Sequence, residues 1–206
     1  FKTDLSSITG YWTGDNYQSS TKEKLTNEIK STKYYYDQDD LVKLPAVQEM
    51  IQNDEIINLA RTCLESEPIL YNINCWYSYP NAVPDEVAAQ KWHFDMDRPK
   101  WVKFFFFLKN CHKDNGPHCF IAKTHKNNGI PKKIRDLGYK RINDEMINKY
   151  FSTNEVKEFT SLAGDLIIEN TRGLHKGKHV LNGERLIFQI EFATSLFGGD
   201  YKKIKI

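Results

Sequence analysis

From Pro68 to Ala193 the chain is a series of short segments rich in β-branched and aromatic residues, separated by turns. The segments are Ile69–Tyr77, Trp92–Met96, Trp101–Leu108, His118–Ala122, Val156–Leu162, Leu166–Glu169, Leu174–Val180 and Arg185–Ala193. Each reads as a strand. No regular βαβ alternation runs through them, which argues for a β-sandwich or jelly roll with helices packed outside. Arg185-Leu186-Ile187-Phe188-Gln189-Ile190-Glu191-Phe192 partly alternates, as a strand with one buried face does. The run Phe104-Phe105-Phe106-Phe107-Leu108 reads as a buried strand, far short of the roughly 20 residues that span a bilayer.

Before Pro68 the pattern is helical. Thr21–Lys33 reads as a helix, with Leu25 and Ile29 four apart. Pro45 opens a second helical region, in which Val47, Met50 and Ile51, then Ile56, Leu59, Ala60 and Cys63, follow the spacing of one helix face. Asn53-Asp54 divides it in two. The expected fold class is therefore mainly β with N-terminal helices: a helical layer over about 20–66 and a jelly-roll core over about 68–194. At 206 residues one domain suffices. Phe1–Ser20 shows no clear period, Asn143–Tyr150 reads as a short helix in an insertion, and Tyr201–Ile206 reads as a basic tail. The chain begins at Phe1 rather than Met, so a trimmed protein or a piece of a longer one is expected.

Composition narrows the partners. A net charge of +2 makes no case for nucleic acid, and no membrane partner is expected. Cys63, Cys75, Cys111 and Cys119 contain no C-x-x-C pair, which suits reduced thiols and a cytoplasmic location. Cys111-His112 and His118-Cys119 flank a turn signal at Asn115-Gly116 and offer zinc-type ligands. Adjacent residues on a strand point to opposite sides, which weighs against a zinc site there.

The chemistry gathers at Trp92-His93-Phe94-Asp95-Met96-Asp97. In a strand, residues i and i+2 share a face about 6.5–7 Å apart, so His93 and Asp95 can aim an imidazole and a carboxylate at one point. With a second histidine from another strand they would make two His and one carboxylate on one face of a metal, the arrangement of non-haem Fe(II) oxygenases. His175, after the turn at Arg172-Gly173, is available for that part. Asp97 shares the strand face of Asp95 and competes with it. Arg185, past the turn Asn182-Gly183, offers the planar two-pronged donor that the far carboxylate of 2-oxoglutarate would require.

Together these pieces resemble the phytanoyl-CoA dioxygenase family of Fe(II)/2-oxoglutarate oxygenases. The matching residues are Trp92-His93-Phe94-Asp95, then Asn115-Gly116-Pro117 leading through Phe120-Ile121 to Thr124-His125-Lys126, then Gly164-Asp165, His175 and Arg185. Ala122-Lys123-Thr124-His125-Lys126 departs from the family's proline-glycine-serine-histidine-lysine stretch but touches no metal ligand. The resemblance covers about Tyr71–Ala193. It implies a double-stranded β-helix, with His93, Asp95 and His175 as catalytic iron ligands and Arg185 binding 2-oxoglutarate. The implied cofactors are Fe(II), 2-oxoglutarate and O2. The implied reaction is hydroxylation of a C–H bond, with release of succinate and CO2. Asp95 stands where related halogenases carry a small residue, which disfavours halogenation.

Lys103, Tyr71, Trp76 and Tyr77 either line the cosubstrate pocket or, for the aromatics, pack in the core. His112, His118 and His125 are expected to be exposed, and His179 to lie too far along its strand to bind the metal. Lys123–Lys140 reads as a solvated loop, or as a lid drawing in an anionic substrate. Arg98, Lys100, Lys103, Arg172 and Lys176 flank the ligand segments and favour a small or medium metabolite that bears a carboxylate or phosphate. Three other readings compete: a cupin-like metal enzyme that makes no use of 2-oxoglutarate, a jelly-roll binding module without turnover, and a protein hydroxylase, which an arginine rather than a lysine at the anchor position disfavours. Oligomeric state is not legible.

Overall fold

Arg185–Ala193 (β11) runs through the middle of the larger of two antiparallel sheets, and all nine of its residues are buried. The structure, a computed structural model, describes residues 4–96 and 98–197. The larger sheet comprises Thr9–Gly14 (β1), Tyr17–Gln18 (β2), Glu23–Lys24 (β3), Lys33–Tyr36 (β4), Ile69–Ser78 (β5), Trp101–Phe107 (β6), Leu166–Glu169 (β9) and β11. Its order is β2-β1-β4-β5-β11-β6-β9, with β3 beside β1. The smaller sheet has the order β10-β7-β8, formed by His118–Ile121 (β7), Val156–Phe159 (β8) and His175–Gly177 (β10). The fold is a jelly roll, one of the two architectures the strand pattern allowed and the one the family resemblance implied.

Side-chain alternation divides β11 between two environments. Leu186, Phe188, Ile190 and Phe192 join the main core. The helices Gln38–Leu41 (α1), Pro45–Ile51 (α2) and Asp54–Leu64 (α3) cover that core, contributing Leu41, Val47, Ile51, Ala60 and Leu64. Arg185, Ile187 and Gln189 face the other way, into a cavity of about 260 Å³. Outside the smaller sheet, the helices Lys132–Arg135 (α4) and Asp144–Asn148 (α5) add Ile134 and Ile147 to a second cluster with Trp92, Ile121 and Leu174.

The break at Asn53-Asp54 is a helix cap: the Asn53 side chain accepts from the Glu55 and Ile56 amides, so α3 begins afresh there. Thr21–Lys33 is not a helix. It holds β3 and runs into β4, and Ile29 is exposed while Leu25 packs on the core, so the two apolar residues share no buried face. The helical layer accordingly starts at Gln38, and β1 occupies a stretch without legible period. Trp92–Met96 is not a continuous strand either. Trp92 and His93 form isolated bridges to Ile142 and His175, and the Asp95 amide then turns to the Thr171 carbonyl at 2.8 Å. Asp97 and Tyr201–Ile206 lie outside the described residues.

Candidate metal centre and cosubstrate pocket

The antiparallel bridge between His93 and His175 fixes the centre. Paired backbone hydrogen bonds of 3.0 and 2.9 Å hold the two residues opposite each other, with ring centroids 4.2 Å apart. His93 Nε2 lies 3.9 Å from Asp95 Oδ1, and His175 Nε2 lies 3.7 Å from Asp95 Oδ2. All three residues are buried, and their donor atoms fall within 4.8 Å of one another. Among the described residues this is the one group of His, Cys and acidic side chains placed to share a metal ion. The cysteine-histidine pairs around Gly116 do not converge, and the Cys111 and Cys119 thiols meet backbone carbonyls instead.

The tautomers suit a metal. His93 Nδ1 lies 2.9 Å from the Lys91 carbonyl and His175 Nδ1 lies 2.9 Å from the Gly173 carbonyl. A carbonyl only accepts, so in the neutral ring the proton sits on Nδ1 and the Nε2 lone pair is left free. Burial, then the neighbouring His175 and Arg141, holds the His93 imidazole well below its usual basicity. Burial opposes the charge on Asp95, but Lys103 and the two imidazoles outweigh it and keep its carboxyl below the ordinary range. Lys103 Nζ donates to Asp95 Oδ2 at 2.7 Å and lies 3.8 Å from Glu191.

Arg185 stands on the same cavity wall, 2% exposed. Its Nη2 donates to Ser78 Oγ at 3.2 Å, while Nε and Nη1 are buried with no hydrogen-bond partner. A Cβ on Gly177 would fall 2.7 Å from Nη2, so the glycine leaves room for the guanidinium. A buried guanidinium with open donors is completed by a carboxylate. The donor set therefore fits a divalent iron and a bidentate dicarboxylate.

The other expected residues divide. Lys103 and Trp76 line the cavity. Tyr71 does not: it lies at the bulge where β5 slips against Glu191 and Phe192, and its ring carries the Arg98 guanidinium at 3.7 Å. Tyr77 faces the main core. Of the five flanking cations only Lys103 reaches the cavity. Lys100 pairs with Glu65, Lys176 with Asp144, and Arg172 lies over Trp101. His118 corrects another expectation, being buried in the cavity wall with its Nε2 against the Glu169 carboxylate. Glu169, Lys33 and Arg141 went unread. Glu169 left one signal, a charge closing the apolar run Leu166-Ile167-Ile168.

A jelly roll whose facing sheets hold two histidines and a carboxylate beside a buried arginine is the architecture of a non-haem iron oxygenase. The chain belongs to the phytanoyl-CoA dioxygenase family, whose model matches residues 15–185. No curated protein sequence matches the chain. Among solved structures it resembles HygX from Streptomyces hygroscopicus with nickel, 2-oxoglutarate and hygromycin B bound. Identity there is 12%, over 81% of this chain and 71% of that one, with a TM-score of 0.57. It also resembles the non-haem α-ketoglutarate-dependent epimerase SnoN from nogalamycin biosynthesis, at 15% identity over 89% of this chain and 66% of that one, TM-score 0.59. The carbocyclase SnoK of the same biosynthesis matches at 12% identity over 81% and 65%, TM-score 0.57.

Proposed function

We propose that this chain is an Fe(II)- and 2-oxoglutarate-dependent dioxygenase that hydroxylates a C–H bond of a small or medium, anionic metabolite, releasing succinate and CO2. The observation that carries the reading is the pairing, in one cavity, of the buried His93/Asp95/His175 set with the open donors of Arg185. The iron, 2-oxoglutarate and O2 supply the oxidising power when bound. His93 and His175 present Nε2 to the metal because backbone carbonyls hold their Nδ1 protons. Lys103 fixes one oxygen of Asp95. Arg185 and Ser78 would receive the far carboxylate and so orient the cosubstrate. Trp76, Phe105 and Ile187 form an apolar wall that excludes water. A single oxygenase domain spans the chain in this reading, and four free thiols favour the cytoplasm.

The fold also carries an epimerase and a carbocyclase, so hydroxylation is tested by product as well as by turnover. Fe(II)-loaded protein is incubated with 2-oxoglutarate, O2 and a panel of carboxylate- and phosphate-bearing metabolites, and succinate is measured. We expect substrate-stimulated succinate, a product heavier by one oxygen atom, and loss of both in Arg185→Ala. Substrate conversion that needs metal but leaves 2-oxoglutarate unconsumed would favour the cupin-like alternative.

A further inference from the structure

Three cationic side chains besides Lys103 line the cavity: Arg185, Lys33 and Arg141. In the oxygenase reading 2-oxoglutarate spends one carboxylate on the metal and the other on Arg185. Arg141 then has no anionic partner among the described side chains, and Lys33, in register with Ser78 and Arg185, lies between the two places.

The place of Arg141 is set by the bridge between Trp92 and Ile142, closed by backbone hydrogen bonds of 3.0 and 2.7 Å. Antiparallel pairing puts the next residues, His93 and Arg141, across from each other, so the guanidinium stands beside a metal ligand. Arg141 Nε donates to the Glu86 carbonyl at 3.2 Å, and the guanidinium lies 5.3 Å from the Tyr139 ring centroid. Its Nη1 is buried without a partner, and no described carboxylate forms an ion pair with it. Lys33 is 4% exposed. Its Nζ donates to the Tyr35 hydroxyl at 3.1 Å and lies 5.3 Å from the Trp76 ring centroid, again with no described carboxylate in ion-pair range. Burial lowers the Lys33 amine, Tyr35 partly restores it, and Arg185 and Arg141 push it down further. A half-buried guanidinium with an open donor, beside an amine that burial alone disfavours as a cation, is stabilised by an incoming anion.

We propose that Arg141, in the field of Lys33, forms a second anion subsite that takes a carboxylate or phosphate group of the substrate, apart from the cosubstrate's place on Arg185. The inference rests on the oxygenase reading for what occupies Arg185. Arg141 suits the substrate because it enters from the loop between α4 and α5. Tyr139 of the same loop is 55% exposed at the cavity's edge and lies 6.5 Å, ring to ring, from His93. An anion held there would lie beside His93 and close to the exposed Tyr139.

The test uses inorganic phosphate as the probe. Phosphate is titrated calorimetrically into the Mn(II) protein and into the Mn(II)/2-oxoglutarate protein, for wild type, Arg141→Gln and Arg141→Lys. Wild type should bind phosphate with 2-oxoglutarate already in place. Arg141→Gln should weaken phosphate by roughly tenfold or more while leaving 2-oxoglutarate within about twofold, and Arg141→Lys should recover part of the loss. Phosphate affinity unchanged in Arg141→Gln overturns the proposal. So does phosphate that displaces 2-oxoglutarate, since the free cations would then serve the cosubstrate. If 2-oxoglutarate fails to bind the Mn(II) protein, the oxygenase reading falls, and the titration without 2-oxoglutarate still decides whether Arg141 holds an anion.

Discussion

At the scale of single residues, the candidate centre depends on what surrounds the three side chains proposed to hold the metal. The carbonyls of Lys91 and Gly173 choose the imidazole tautomers, and Lys103 holds Asp95. Gly177 shows the same dependence for the cosubstrate, because an added methyl would press on the Arg185 guanidinium. Gly177→Ala should therefore weaken 2-oxoglutarate about tenfold and leave Mn(II) affinity unchanged, as read by calorimetric titration of each ligand. Arg185→Lys should fail to restore 2-oxoglutarate binding, since a point charge does not replace a planar fork. His93 and Asp95 could be read as a pair because two positions apart is a local relation, while the choice of Asp95 over Asp97, of His175 and of Arg185 came from the family resemblance. Lys33, Arg141 and Glu169 were not legible. Lys33 comes into line with Ser78 and Arg185 only through the register of three strands, and Arg141 meets His93 only through the bridge at Ile142. Such relations exist once the sheet has formed.

At the scale of elements, β11 joins the core to the site. Phe188 is fully buried on its core face, while Ile187 and Gln189 look into the cavity. Phe188→Ala should cost about 3–5 kcal/mol in denaturant unfolding, from lost transfer energy and the void left behind. Asn53→Ala should cost about 1 kcal/mol, since it frees the Glu55 and Ile56 amides at the start of α3. The long strands β5, β6 and β11 were readable because their apolar residues are dense. The first 36 residues were not. Their strands are short and interrupted by glycine and polar residues, and beyond the local pairing of β1 with β2 and β3 they are held by partners farther along the chain. β4, for instance, pairs with β5 across more than thirty residues. Two apolar residues four apart, Leu25 and Ile29, made too thin a stripe to define a helix.

At the scale of the whole molecule, the aromatic packing under the N-terminal strands ties alkaline stability to tyrosine. Tyr34 is fully buried, its hydroxyl donates to the Glu23 carbonyl at 2.6 Å, and burial is the main cause that pushes its pKa up to about 12. A raised pKa in the folded state contributes stability that is complete below the unfolded value near 10 and is lost as pH climbs to about 12. Tyrosinate absorbance should then rise together with loss of structure, and Tyr34→Phe should flatten the fall in stability over that window.

The central claim is that one cavity holds both a metal and a dicarboxylate. Thermal unfolding of metal-stripped protein with Mn(II), with 2-oxoglutarate and with both tests it most directly. A ligand at about 100 times its dissociation constant stabilises by roughly 2.7 kcal/mol. The account predicts that 2-oxoglutarate raises the midpoint only when Mn(II) is present, that His175→Ala loses both shifts, and that Arg185→Ala keeps the metal shift alone. A metal shift to which 2-oxoglutarate adds nothing in the wild type would contradict it.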